Sequence, residues 1–213
     1  MPLIYKALTE QEGRIGVWRI EENADFFLQK LIFSDWERSY FERITHPKRR
    51  AGWLASRYLI KLLLETDDYV ELLFDTNGKP ILPHGDWRLS ISHTHDFAAV
   101  YLSTAGDVGV DIESSTRSVV EIRNKFLHKE ELNLLGSPTE KDLLVYWGAK
   151  EAMYKIHGRK KLDFRDHMRV DPIDPAKGDT FKGIILKDKL IRCSLWFRIA
   201  DGYCLVAGTS DEN

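Results

Sequence analysis

The sequence predicts an α+β fold made of two similar halves, each an antiparallel meander sheet packed with helices. Three observations lead there. Strand signals come in runs with short connections. Helical stretches precede each run, so the strands are not separated one by one as in a parallel sheet. The pattern of Arg88-Leu89-Ser90 followed by the apolar segment 97–102 returns as Arg192-Cys193-Ser194 followed by 203–207. The halves divide as residues 1–105 and 106–213.

In the first half, residues 14–20 read as a short strand. Residues 31–44 mix apolar and charged residues at helical spacing. Thr45-His46-Pro47 is a helix start, because proline is tolerated in the first turn. The helix 48–65 repeats Leu54, Tyr58 and Leu62 on one side and Arg49, Arg50, Arg57 and Lys61 on the other. Asn77-Gly78-Lys79-Pro80 is a turn signal. Residues 87–92 then alternate: Trp87, Leu89 and Ile91 share one face, Arg88, Ser90 and Ser92 the other. The turn Ser92-His93-Thr94-His95-Asp96 leads to a second strand at 97–102. A Gly-Asp turn opens a third at 108–113, so these three are expected to form one antiparallel meander.

In the second half, helices are expected near 119–126 and 138–157. Ser137-Pro138-Thr139-Glu140 fits a capping box, and Gly158 suits a helix end. Strand signals return near 181–186, 190–199 and 203–208.

The chain has 213 residues, enough for one large or two half-size domains, and 43% of it is hydrophobic. Charged residues make up 30% but nearly cancel, to a net charge of -2. That balance gives no support for a general nucleic-acid binder, which carries a basic face or stripe. No apolar run is long enough to span a bilayer, and the first residues lack a signal-peptide plan, so the expected location is cytoplasmic. Cys193 and Cys204 are the only cysteines and read as buried free thiols. No Cys/His spacing suits zinc.

Two segments carry chemistry. In the strand Val108-Gly109-Val110-Asp111-Ile112-Glu113, alternate residues share a face. Asp111 and Glu113 therefore point the same way, about 6–7 Å apart along the chain. A hard divalent cation with oxygen ligands suits such a pair; a solvent-facing strand edge with two acids is the alternative. In the helix, Leu144, Trp147, Glu151 and Tyr154 fall on one apolar stripe, which places a carboxylate within it. Glu151 needs a partner: Lys155 one turn on, or a metal shared with Asp111 and Glu113.

The strand and helix together resemble the paired signature of the 4'-phosphopantetheinyl transferases. That signature is roughly (V/I)G(V/I)D(I/V)E followed, thirty to fifty residues on, by WxxKEAxxK. Here the second part is Trp147-Gly148-Ala149-Lys150-Glu151-Ala152-Met153-Tyr154-Lys155. Ile91-Ser92-His93 matches the serine-histidine that precedes the first part in the larger, surfactin-synthetase-activating type, and His46-Pro47-Lys48-Arg49-Arg50 with Arg57, and Gly78-Lys79-Pro80, resemble its nucleotide-binding segments. The likeness runs from about residue 45 to 158.

The resemblance implies a single chain of two similar halves with the active site between them, hence a monomer. It implies transfer of the 4'-phosphopantetheine group of coenzyme A to a serine of an acyl or peptidyl carrier protein, with release of 3',5'-adenosine bisphosphate. By similarity, Asp111, Glu113 and Glu151 bind magnesium, and Glu151 or a metal-bound water takes the serine proton. Lys155 contacts the diphosphate and steadies the leaving group, and Lys150 orients phosphate or carboxylate. Ser92 and His93 hold the 3'-phosphate, with Lys79 and one of Arg49 and Arg50 near the nucleotide. The first half thus supplies nucleotide contacts and the second the metal and catalytic motifs. Carrier proteins are usually acidic helical bundles, so Phe126-Leu127-His128-Lys129 is the expected docking segment. Another magnesium-dependent nucleotide transferase is disfavoured by the missing P-loop. A silent coenzyme A-binding scaffold is disfavoured by the intact charged set.

Overall fold

Two strands open the chain, β1 (Leu3–Leu8) and β2 (Arg14–Arg19), paired antiparallel with Leu8 opposite Arg14. The computed structural model describes residues 2–9, 13–158, 161–173 and 178–211. Two short helices follow, α1 (Ala24–Leu28) and α2 (Asp35–Arg43). Ser34 and Glu37 cap α2 reciprocally, each side chain accepting the other's backbone N–H. Helix α3 (Pro47–Leu64) starts on Pro47, whose missing N–H has no partner to lose there. A two-stranded pair, β3 (Leu73–Phe74) with β4 (Pro80–Ile81), precedes β5 (Arg88–His93) and β6 (Phe97–Ser103). The larger sheet has the order β1-β2-β6-β5, and α3 packs on it. Trp18, Phe27, Leu54, Leu59, Val100 and Leu102 centre that core. Residues Met1–Thr104 form this compact unit and Ala105–Asn213 a second.

One face of α3 differs from expectation. Arg57 and Lys61, placed with Arg49 and Arg50 on the face opposite the apolar one, are buried. Glu37 on α2 pairs with Arg57, and the carbonyls of Lys30 and Asp67 accept from Lys61, so neighbouring segments close over that side.

The second unit begins with β7 (Val108–Ser114), then α4 (Arg123–Phe126), α5 (Lys129–Leu135), α6 (Glu140–His157) and α7 (Phe164–His167). Strands β8 (Met168–Val170), β9 (Thr180–Leu186), β10 (Leu190–Ala200) and β11 (Tyr203–Ser210) form a meander. The sheet order is β7-β11-β10-β9-β8, antiparallel throughout.

The expected meander of three strands ending at 113 is corrected. Strand β6 already has β2 and β5 on its two sides, so β7 cannot join it. β7 pairs instead with β11, Asp111 opposite Val206. The capping box of α6 also moves: Thr139 caps the helix with Asp142, not Ser137 with Glu140. Gly158 closes the helix in a left-handed conformation, as expected.

Helix α6 lies directly on β7 and β11. Two glycines permit the approach. A Cβ at Gly109 would stand 2.0 Å from the Ala152 carbonyl oxygen, and one at Gly148 would stand 2.7 Å from a Val206 methyl. Gly109→Ala meets backbone, which cannot rotate away. It is expected to destabilise the protein by about 3 kcal/mol or more, with Gly148→Ala milder because a side chain can give. Urea unfolding of the two variants checks the order; wild-type stability for Gly109→Ala would contradict the close contact. Among the described residues, no helix is long and apolar enough to cross a membrane.

Candidate active site

The acids of β7 face α6 and not solvent. Asp111 is 5% exposed, while Val108, Val110 and Ile112 are buried on the other face. The solvent-edge alternative therefore fails. Lys155 reaches across from α6 and donates to Asp111 Oδ1 at 2.9 Å and to the Val110 carbonyl at 2.7 Å. Trp147 Nε1 donates to Glu113 Oε1 at 3.1 Å. Arg117, just past β7, donates to the same Glu113 oxygen and lies over the Trp147 ring. The partner of Lys155 is thus Asp111 rather than Glu151 one turn back.

Glu151 is half-buried beside these groups. Burial, then the charges of Asp111 and Glu113, push its carboxyl up to about 7, with Lys155 and Arg117 only partly offsetting them. Three carboxylates therefore stand against two cations. The donor set is oxygen only, which fits a hard divalent cation such as magnesium, and a further positive charge would relieve Glu151. Among the described residues, no three acidic, histidine or cysteine side chains already converge on one ion position. Asp111 and Glu113 turn to Lys155 and Arg117 instead.

The stripe read along α6 is its less buried side: Trp147, Glu151 and Tyr154 are half-buried. The charge inside the core is Lys150, with 0% exposure. Its Nζ donates to Glu131 Oε2 at 2.8 Å, to the Met168 carbonyl at 2.9 Å and to the Phe164 carbonyl at 3.1 Å. Burial lowers its pKa to about 8, with Glu131 opposing. The expectation that Lys150 orients phosphate is corrected: all three of its N–H donors are spent inside the fold. It orients a carboxylate, that of Glu131. Glu131 also accepts from the backbone N–H of His128 and Val170, so one side chain ties α5, α6 and β8 together.

The expected docking segment is corrected too. Phe126 and Leu127 are each 1% exposed and belong to the second unit's core, with Phe126 edge-on to Trp147. His128 caps α5, and Lys129 alone of the four is exposed.

The remaining expected residues lie in the first unit. His93 ends β5 beside α3, where Gly52 leaves room for its ring; a Cβ there would stand 3.1 Å from Nδ1. Ser92 pairs with Ala99 in the sheet. Arg50 donates to the Phe41 and Ile44 carbonyls and lies over the Phe41 ring, closing the end of α2, whereas Arg49 is exposed. Lys79 is half-buried in a turn that Asp75 holds through the backbone N–H groups of Asn77 and Lys79. Lys48, which sequence reading did not single out, is 2.9 Å from His95 Nδ1. Arg117 and Glu131 were missed as well. Arg117 follows the strand motif by four residues, a loop position without a pattern. Glu131 is legible only as a capping-box glutamate at the third position of α5.

Comparison with known proteins bears on both units. Residues 107–206 match a family model described as the 4'-phosphopantetheinyl transferase superfamily, and residues 37–103 match its N-terminal-domain model. Two curated relatives, from Salmonella typhi and Salmonella typhimurium, are both described as 4'-phosphopantetheinyl transferase AcpT. Each is 32% identical over 120 residues, which span 52% of this chain and 60% of the relative.

Proposed function

The chain belongs to the 4'-phosphopantetheinyl transferase superfamily, and from that premise we propose that it transfers the 4'-phosphopantetheine group of coenzyme A to a serine of an acyl or peptidyl carrier protein. One observation carries the reading. The two parts of the signature, 44 positions apart at Asp111 and Lys155, meet side chain to side chain across β7 and α6.

In this reading Asp111, Glu113 and Glu151 hold a magnesium ion, which when bound neutralises diphosphate charge. The serine oxygen forms a bond to the β-phosphorus, and the bond from that phosphorus to the bridging oxygen of 3',5'-adenosine bisphosphate breaks. The serine proton leaves to Glu151 or to a water beside it. Lys155, already turned to the carboxylates, supplies the cation next to the leaving group. Arg117 and Trp147 hold Glu113 so that its orientation is set before substrate arrives. His93, Ser92, Arg49 and Lys79 of the first unit take the nucleotide end, and Lys48 adds a cation near His95. Each unit has an antiparallel sheet with one 18-residue helix against it, which supports descent from a repeated half.

The test is direct. The protein is mixed with coenzyme A, magnesium and several apo carrier proteins, and each carrier is weighed by mass spectrometry. The expected result is the mass gain of one phosphopantetheine, lost when magnesium is chelated. No gain on any carrier would overturn the reading.

A further inference from the structure

A pocket in the first unit involves none of the residues given a role in transfer. Apolar side chains from the segment before α2, from α3 and from the segment before β3 form its walls, and Glu37, Arg57 and Lys61 are its charged residues. The space open to the centre of a water-sized molecule is about 20 Å³. That suits one or two very small occupants.

The charges do not balance. Arg57 has 8% of its side chain exposed and, among the described residues, makes one hydrogen bond, from Nε to Glu37 Oε1 at 3.3 Å. One face of its guanidinium lies 3.3 Å from the Trp53 ring centre, and Nη2 is buried with no acceptor among the described residues. The other oxygen of Glu37 accepts from the Ser34 N–H and the Tyr69 hydroxyl. Lys61 is 7% exposed and donates to the carbonyls of Asp67 and Lys30, at 2.6 and 3.4 Å, which carry no formal charge. The pocket is thus lined by two buried cations and one carboxylate. A buried charge without a counter-ion is costly, and a guanidinium does not escape by losing its proton at neutral pH.

We propose that this pocket binds one small monovalent anion of about the size of chloride, held by Arg57 and Lys61. A water could accept a hydrogen bond there but would leave the surplus charge. Burial lowers the Arg57 pKa to about 10 despite Glu37, in keeping with a cation that the protein compensates incompletely. An anion at this point would join α3 to the chain on both sides of the pocket. Its effect is therefore on the stability of the first unit, whatever the outcome for transfer.

Thermal melts of the full chain, with sodium gluconate exchanged for sodium chloride or bromide at constant ionic strength, test this. A saturable rise is expected, about 3–5 °C at ten times the dissociation constant. The rise should vanish in Lys61→Met, which keeps the side chain's length and removes its charge. Because that variant could fail to fold, wild-type crystals soaked in bromide provide a second arm, with an anomalous peak expected beside Arg57. Melting indifferent to halide together with no anomalous peak in the pocket would overturn the proposal. So would a halide effect of the same size in folded Lys61→Met.

Discussion

Glu151→Gln is expected to lower the transfer rate by at least ~10²-fold, the lower range for losing a positioned proton acceptor, without loss of fold. The charge arrangement explains why both halves of that result belong together. Glu151 stands among Asp111 and Glu113, and burial and those two charges together disfavour its ionised form. A neutral amide of the same shape removes one negative charge from a crowded set, so stability should stay level or rise slightly. In the proposed reading the same change removes a magnesium ligand and the group that takes the serine proton, directly or through a water beside it. Lys155→Met should behave differently. Asp111 is buried and takes its charge-assisted bond from Lys155, so activity and stability should fall together. Carrier mass gain and urea unfolding, measured on both variants, separate the roles. Wild-type transfer by Glu151→Gln would remove the metal and base assignments together.

The parts of the site that were legible in the sequence are local. Strand alternation places Asp111 and Glu113 on one face, and helical spacing places Glu151 and Lys155 one turn apart. What was not legible is who faces them. Nothing in residues 108–113 says that β7 pairs with β11, some ninety residues later, because strand alternation reports burial and not the neighbour. The short link from β6 looked like a hairpin, and a hairpin would have been right had β2 not taken that edge. Phe126 and Leu127 have the composition of a docking patch, yet composition cannot separate exposed apolar residues from core ones. The α6 cap shows a finer ambiguity. Ser137-Pro138-Thr139-Glu140 and Thr139-Glu140-Lys141-Asp142 both carry the box pattern, and only the second has the helical geometry behind it. Lys150 is the clearest case. Its neighbour Glu151 drew attention as the charge in the stripe, but burial of Lys150 depends on Glu131, contributed from 19 positions earlier.

That pair also gives the largest expected stability effect. Glu131→Ala should destabilise the protein by about 3–5 kcal/mol, the range for a buried ion pair that loses one partner. Three losses coincide: the counter-ion of Lys150, the reciprocal cap of α5, and the acceptor for the Val170 N–H. Lys150→Met should be milder, since Glu131 keeps two backbone donors and the thioether chain fills the volume. Replacing both, Glu131→Leu with Lys150→Met, should recover part of the loss. Burial outweighs Glu131 in setting the lysine's pKa, so the attraction within the pair does not fully offset its desolvation. Unfolding of Glu131→Leu, Lys150→Met and the double as a cycle measures this coupling. Additive losses would mean that the two side chains act independently. The catalytic consequence follows from geometry: α6 carries Glu151 and Lys155, and Lys150 is the bolt that sets its height over β8 and α5. A folded double variant should therefore keep substrate chemistry at a reduced rate, whereas a direct phosphate role for Lys150 would leave it inactive.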